Sequence, residues 1–423
     1  MGSVADSEYL TVAEALAAVL EGVSVLPAES VPLLDALGRV LAEPVIARDD
    51  LPPFANSAMD GYAVRAADLA NAGADNPVTL KVVGDIAAGA VPDVTVAPAT
   101  TARIMTGAPV PPGADAVVPV EDTSEPWRDQ DRPLPGTIEV RRSVNAGDYL
   151  RHPGEDIEAG QPVLAAGHVI RPQEIGVLAA LGISQVRVIR RPRIGILATG
   201  DELVGIDEAL RSGKIRNSNG YAQTAQVLAM GATPVWLGIA RDTEADMRAK
   251  LQRGLDEGVD LFVSSAGVSV GAYDVVKAVL EAEGNVGFWR VRMRPGKPLA
   301  FGTYHGVPYL GLPGNPVSAM VSFERFARAA ILKMAGHIRL ERPQLMVKLQ
   351  DTIHSDGRES YVRAVVEYKA GEYIATTTGS QGSHIMTSLV KANALLIVPE
   401  GMKLVTAGEQ LQAWMIDWPE TVF

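Results

Sequence analysis

Hydrophobic positions change their period along this chain, and each change marks a different kind of structure. Thr11-Val-Ala-Glu14 has the residues of a capping box, and the apolar spacing that follows it predicts a helix running to residues 20–23. Residues 31–41 keep a helical spacing and stop before Pro44, so a second helix is expected there. From about residue 51 to 142 the period shortens to two. Alternating runs at 78–83 and 101–105, broken by glycine and proline, predict a small β domain. Residues 146–181 return to a helical, turn-rich texture, which makes the β domain an insertion between two parts of one elongated helical segment.

The next stretch alternates. Strands are predicted at 193–198, 234–240, 259–264 and 286–292, and helices at 218–230, 243–258, 274–283 and 316–335. Such alternation implies a parallel sheet with helices on both faces, whose ligands sit beyond the carboxyl ends of the strands. From about residue 340 the pattern is all strand, with runs at 345–349, 361–368, 394–398 and 410–416. The expected fold class is therefore α/β plus β in an elongated multidomain chain. A helical or extended segment (1–50 and 143–180) carries the inserted β domain (51–142); a three-layer α/β domain (181–337) and a C-terminal β-barrel-like domain (338–423) follow.

Composition narrows the function. The 423 residues are 47% apolar and 21% charged, a globular balance, and no apolar run approaches the roughly 20 residues of a membrane span. Met1-Gly-Ser-Val-Ala-Asp-Ser-Glu8 lacks the basic and apolar regions of a secretory signal, so a cytoplasmic location without membrane insertion is expected. The absence of cysteine excludes a disulfide, a thiolate nucleophile and a Cys-ligated metal. Six scattered histidines, none in a His-Glu-x-x-His spacing, argue against zinc. With 38 basic and 50 acidic residues, a net charge of -12 and no basic block, nucleic acid is not an expected partner. An anionic ligand would need a few focused cations, backbone dipoles or a divalent metal.

Four turns in the α/β region offer such chemistry. Thr199-Gly-Asp-Glu-Leu203 follows the first strand, and its adjacent carboxylates suit Mg²⁺, although Asp201 and Glu202 could equally be polar turn residues. Ser265-Ala-Gly-Val-Ser-Val-Gly271 leads from strand to helix with Asp274 close behind. Its glycines and Ser269 could cradle a phosphate, with Asp274 either on a metal or simply an N-cap. Arg294-Pro-Gly-Lys-Pro298 forms, with Arg292, the densest cationic loop, stiffened by two prolines, and suits an oxyanion or a solvated surface. In Leu312-Pro-Gly-Asn-Pro-Val-Ser318, Asn315 and Pro316 cap a helix whose first turn holds Ser318. Asn56-Ser-Ala-Met-Asp-Gly-Tyr-Ala-Val64, Met105-Thr-Gly-Ala-Pro-Val-Pro111 and Pro153-Gly-Glu-Asp-Ile157 read by themselves as ordinary turns.

Taken in order, these seven motifs resemble the MoeA/gephyrin family of molybdenum insertases, and the similarity runs from about Thr11 to the last strands. The resemblance implies a homodimer of four domains, including a molybdopterin-binding α/β domain. Its cleft would lie between the α/β domain of one subunit and the terminal β domain of the other. It implies transfer of molybdate to the dithiolene of adenylylated molybdopterin, with Mg²⁺-dependent loss of AMP.

By motif position, Asp201, Glu202 and Asp274 would handle Mg²⁺, with Thr199, Gly200, Gly267, Ser269, Gly271, Asn315 and Ser318 on the substrate and its phosphates. Arg294, Lys297 and Pro298 would meet molybdate, as would Arg358 in Gly357-Arg-Glu-Ser-Tyr-Val-Arg363 and Ser388 in Gly382-Ser-His-Ile-Met-Thr-Ser388. Asp60, Thr106, Asp156 and Asp242 match catalytic positions, as Glu202 and Asp274 also do.

Two departures stand out. Ala266 replaces a usual glycine, and Arg294 replaces a usual lysine, exchanging an ammonium for a planar fork. The implied partners are a molybdopterin adenylyltransferase and apo-molybdoenzymes. A gephyrin-like dimeric scaffold, binding a peptide at its dimer edge, is the alternative from a different class. A stand-alone adenylyltransferase would share only the α/β domain.

Overall fold

The computed structural model describes residues 9–125, 133–265 and 273–417. The chain divides into two compact units, one built from the residues up to 42, 167–171 and those from 185 onward, the other from 43–166 and 172–184. No helix among the described residues is long and apolar enough to cross a membrane.

In the larger unit, helix α1 (Val12–Glu21) starts as its sequence dictates. Thr11 Oγ1 accepts from the Glu14 amide at 3.1 Å and the Glu14 carboxylate accepts from the Thr11 amide at 2.8 Å. Val12, Ala15 and Val19 then enter the main core. The helix expected at 31–41 does not form. Strand β1 (Ala28–Pro32) instead pairs antiparallel with β2 (Gln185–Ile189), and only a 3₁₀ turn, Leu33–Ala36, follows. Partners more than 150 residues away outweigh a short local helical preference.

The α/β part is a six-stranded sheet. Its elements are β3 (Arg193–Thr199), α2 (Ser218–Ala229), β4 (Thr233–Ala240), α3 (Glu244–Asp256), β5 (Leu261–Ser265), α4 (Tyr273–Glu283) and β6 (Gly284–Arg290). After the short β7 (Met293–Arg294) come β8 (Pro298–Tyr304), β9 (Val307–Leu312), α5 (Pro316–Ser322) and α6 (Arg328–Met334). A π-helical turn, Phe323–Ala327, interrupts what the sequence suggests is one long helix.

The strand order is β4-β3-β5-β9-β8-β6. Four strands are parallel, but β8 runs antiparallel to β9 and β6 antiparallel to β8, so the expectation of a wholly parallel sheet is corrected. The cause is a hairpin. His305 and Gly306 both take positive φ, 47° and 80°, which a two-residue turn between right-twisted strands requires. Apolar side chains from the two faces fill two separate cores.

The C-terminal strands are β10 (Gln344–Leu349), β11 (Glu359–Lys369), β12 (Glu372–Thr377), β13 (Ala394–Val398) and β14 (Gln410–Met415). They close in the order β11-β12-β10-β14-β13 and back to β11, a five-stranded barrel that leaves no free edge within the ring. The interior is packed with Val347, Val362, Ala364, Val366, Leu396 and their neighbours. Strand β7 adds itself to the start of β11, Met293 opposite Glu359 and Arg294 opposite Ser360. That pairing ties the cationic loop of the α/β part to the barrel wall.

The smaller unit is built on a five-stranded mixed sheet of segments 116–119, 61–64, 100–104, 78–86 and 137–140, in that spatial order. Cores gathered around Tyr62, Leu80 and Val118 and around Ile86, Ile104 and Val117 pack it. The alternating period read from the sequence accounts for this β texture.

Candidate functional site

Register sets the site. Thr199 lies opposite Ala240, Ala198 opposite Ser265, and Ser265 opposite Leu312, so the carboxyl ends of four parallel strands finish at one level. A cavity of about 720 Å³ opens there, and the barrel residues Arg358, Gln381, Gly382 and Ser383 line its other side. Both of these walls come from a single chain.

All four glycine and proline turns reach this cavity, the second through Ser265 at its start. Thr199 and Glu202 line it from the first, Arg294, Lys297 and Pro298 from the third, and Asn315 and Ser318 from the fourth. Gly200 sits at φ 137°, and a Cβ there would run into the Glu202 carboxylate. Only glycine lets that carboxylate fold back over the turn. The second turn is different: Ala266, Gly267, Ser269 and Gly271 lie outside the described residues, and for Asp274 only the helical backbone is described.

Carboxylates at the strand ends are arranged in a pair. The Asp201 amide donates to Asp242 Oδ2 at 3.3 Å and the Asp242 amide to Asp201 Oδ1 at 3.2 Å, while Lys214 Nζ donates to the Asp201 carbonyl. Among the described residues, Glu202 is the one carboxylate lining the cavity. Among the described residues no group of three or more metal-ligating side chains converges.

Among the described residues, four cations line the cavity with Glu202: Arg216, Arg294, Lys297 and Arg358. Each is braced. Arg216 Nε donates to the Ile206 carbonyl at 2.9 Å, and Arg358 Nη1 to the Met293 carbonyl at 3.1 Å. Asp356 accepts from Arg358 Nη2 at 2.5 Å and stands 3.8 Å from Arg294, and the Arg358 guanidinium holds its carboxyl below the usual carboxylate range. Gly296, at φ 113°, keeps the loop between Arg294 and Lys297 tight against Ser322.

A recess of about 170 Å³ shares Arg294, Pro295 and Gln381 with the large cavity and is walled by Thr352, His354, Ser360 and Arg363. Arg363 is 1% exposed, and no carboxylate is paired with it among the described residues. Burial, with Arg294 nearby, pushes its guanidinium down to about 10, so it stays charged at neutral pH. Ser388 does not line the large cavity. It is buried, accepts from Arg363 Nε at 3.1 Å and donates to the Ile385 carbonyl at 2.6 Å.

The remaining expected residues lie in the smaller unit. Asp60 Oδ1 accepts from the Thr106 amide at 2.7 Å and from its hydroxyl at 2.8 Å, joining two of the motifs there. The Asp156 amide donates to the Leu51 carbonyl at 3.0 Å, and its side chain is exposed.

Several lining residues have no counterpart among the sequence candidates. Arg216, Asn217, Ser218 and Asn219 bring the start of α2 to the cavity, and Asn219 Nδ2 donates to the Gly314 carbonyl at 2.8 Å. Thr199 Oγ1, Asn217 Nδ2 and Asn219 Oδ1 are buried with no protein partner. A polar Asn-Ser-Asn at a helix start is a signal that could have marked this wall.

Comparison with known proteins follows this geometry closely. Residues 10–182 match the model described as "MoeA N-terminal region (domain I and II)", residues 195–333 the "Probable molybdopterin binding domain", and residues 346–416 the "MoeA C-terminal region (domain IV)". The chain is 40% identical over 392 residues to molybdopterin molybdenumtransferase 2 of Mycobacterium tuberculosis, covering 91% of this chain and 94% of that protein. It is 36% identical over 405 residues to the molybdopterin molybdenumtransferase of Bacillus subtilis, covering 93% and 92%. A crystal structure of the molybdopterin biosynthesis moeA protein of Pyrococcus horikoshii OT3 superposes with a TM-score of 0.81 at 31% identity, covering 96% of this chain and all of that one. With strand-end turns, cation-lined cavity and barrel all falling inside the matched regions, the chain belongs to the MoeA family of molybdopterin molybdenumtransferases.

Proposed function

We propose that this chain acts in molybdenum cofactor biosynthesis as a transferase that passes molybdate to the dithiolene of adenylylated molybdopterin and releases AMP. The observation that carries the reading is the cavity lined, among the described residues, by four cations and one carboxylate in a protein of net charge -12. Such a local reversal of sign suits a substrate pair that brings molybdate and a pyrophosphate into one place.

The roles follow from the chemistry of each wall. Thr199, Gly200, Asn315, Ser318 and the start of α2 offer hydroxyls, amides and the positive end of a 12-residue helix to the phosphates. Arg294, Lys297, Pro298 and Arg358 would receive molybdate, and the buried Arg363, oriented by Ser388, would receive it in the adjoining recess. Burying an unpaired guanidinium is costly, and an arriving oxyanion offsets that cost.

Glu202 at the cavity wall and Asp201 beside it suit Mg²⁺, which commonly takes one or two carboxylates and completes its shell with phosphate and water. Asp274 and Asp242 join them in this proposal. Bound there, the ion would neutralise the phosphoanhydride oxygens as AMP leaves. The protein's own groups hold and orient the two anions, and no covalent nucleophile is required. Asp60, Thr106, Asp156, the phosphate loop at Gly267, Ser269 and Gly271, the four-domain division, homodimerisation, a cytoplasmic setting and hand-over from an adenylyltransferase to apo-molybdoenzymes belong to the same reading.

The test supplies purified protein with adenylylated molybdopterin, molybdate and Mg²⁺. Molybdate-dependent AMP release with activation of an apo-molybdoenzyme is expected. No turnover, under conditions where the M. tuberculosis relative works, would overturn the proposal.

A further inference from the structure

Tyr9 lies outside every motif, yet its ring lies under the cavity's lysine. Lys297 Nζ stands 5.0 Å from the Tyr9 ring centroid, within the range of a cation–π contact. This is not a loose terminus brushing the surface. The Leu10 amide donates to the Arg290 carbonyl at 2.9 Å and the Leu10 carbonyl accepts from the Arg292 amide at 2.8 Å, a parallel bridge to Val291. The Val291 amide in turn donates to the Lys297 carbonyl at 2.8 Å. On the other side, the capping box at Thr11 and Glu14 starts α1, whose buried face anchors the segment in the core.

One backbone ladder thus fixes both partners. The ring and the ammonium meet because Leu10 and Lys297 share Val291. Lysine carries four rotatable bonds and no carboxylate is paired with Lys297 among the described residues, so an aromatic face is what limits where its charge points. Hydrogen bonding of the phenol oxygen with Lys297, helped by the charges of Lys297 and Arg290, holds the Tyr9 phenol below the usual tyrosine range.

We propose that Tyr9 is a positioning residue for the molybdate-binding lysine: its ring pre-orients the Lys297 ammonium at the cavity wall before the oxyanion arrives. This rests on the molybdotransferase reading for its substrate, but the contact itself does not. Tyr9→Leu is expected to raise the KM for molybdate about threefold to tenfold with kcat within twofold, the scale of one partly solvated cation–π contact. Tyr9→Phe keeps the ring but not the hydroxyl, and its KM should fall between wild type and Tyr9→Leu.

In a Lys297→Met background, Tyr9→Leu should have no further effect on KM, because the ring acts only through the ammonium. A wild-type KM in Tyr9→Leu, a Phe variant as impaired as the Leu variant, or additive effects in the double variant would overturn the proposal. If Tyr9→Leu proves poorly folded, the Phe variant and a tyrosine NMR titration decide. The ¹³C-labelled Tyr9 ring should titrate below the other exposed tyrosines and move up in Lys297→Met. An unmoved Tyr9 titration refutes the contact, whereas a moved titration in a protein with no AMP release refutes only the molybdotransferase reading.

Discussion

The open sheet and the closed barrel contribute opposite kinds of chemistry to one cavity. At the ends of β3, β5 and β9 the groups are short and local: Thr199, Ser265, Asn315, Ser318, and backbone released by glycine and proline. The barrel side supplies long cations, Arg358 held by neighbouring Asp356 and by distant Met293, and Arg363 held by Ser388. Strand ends can present amides to a ligand because their ladder has stopped. A barrel strand has no free amides within the ring, so it must use side chains. The open sheet therefore offers backbone and hydroxyls beside the cations Arg216 and Lys297, whereas the barrel strands offer side-chain charge alone, with Arg294 on β7 joining the two.

The hardest test of that division is Arg363→Met. The cavity for phosphates is left intact, so the KM for adenylylated molybdopterin should hold within twofold, while kcat/KM for molybdate should fall about 10²-fold or more, the cost of a buried charge-assisted contact. Thermal unfolding should be unchanged or later, since an unpaired buried guanidinium is replaced by an apolar chain. A variant that loses both substrates equally would erase the distinction. Gly200→Ala attacks the other wall. Strain at φ 137° together with the Glu202 clash should raise the KM for adenylylated molybdopterin and slow AMP release by about tenfold, leaving molybdate binding by titration calorimetry unaltered. Withdrawing Mg²⁺ with a chelator should have the same one-sided signature, abolishing AMP release but not molybdate binding.

Legibility in the sequence follows the same division. The strand-end turns could be read because glycine, proline and a capping asparagine act on their own few residues. Thr199 to Glu202 and Leu312 to Ser318 needed no knowledge of distant partners. The barrel wall could not be read that way. Arg363 lies between Val362 and Ala364, and nothing local says that a buried arginine at that point faces a recess rather than a carboxylate. Tyr9 matters through Lys297, 288 positions away, and Asp356 reaches beyond its neighbour Arg358 to Arg294, 62 positions away. The misread elements have the same origin. Residues 31–41 look helical alone, but the segment enters through the strand 28–32 because β2 pairs with it, and β8 with β9 was missed because the turn at His305-Gly306 lacks the usual asparagine or aspartate.

The smallest effect is expected where the two walls share a carboxylate. Asp356 faces Arg358 directly and Arg294 at longer range, and it is partly exposed, so removing its charge should lower the KM for molybdate only about twofold, an effect that shrinks with salt. The sign of the pH dependence follows from its depressed carboxyl. A lowered folded value means that the pairing is present above the usual carboxylate range and is lost as pH falls through the folded value, below that of a free aspartate. Wild-type protein should therefore hold a flat molybdate KM from pH 7 down to about 5 with no contribution from Asp356, and Asp356→Asn should run parallel to it across that window. Curves that converge between pH 7 and 5 would show Asp356 protonating near neutrality, which would mean that the two arginines do not hold it and that the barrel's cations are free to swing toward the open sheet.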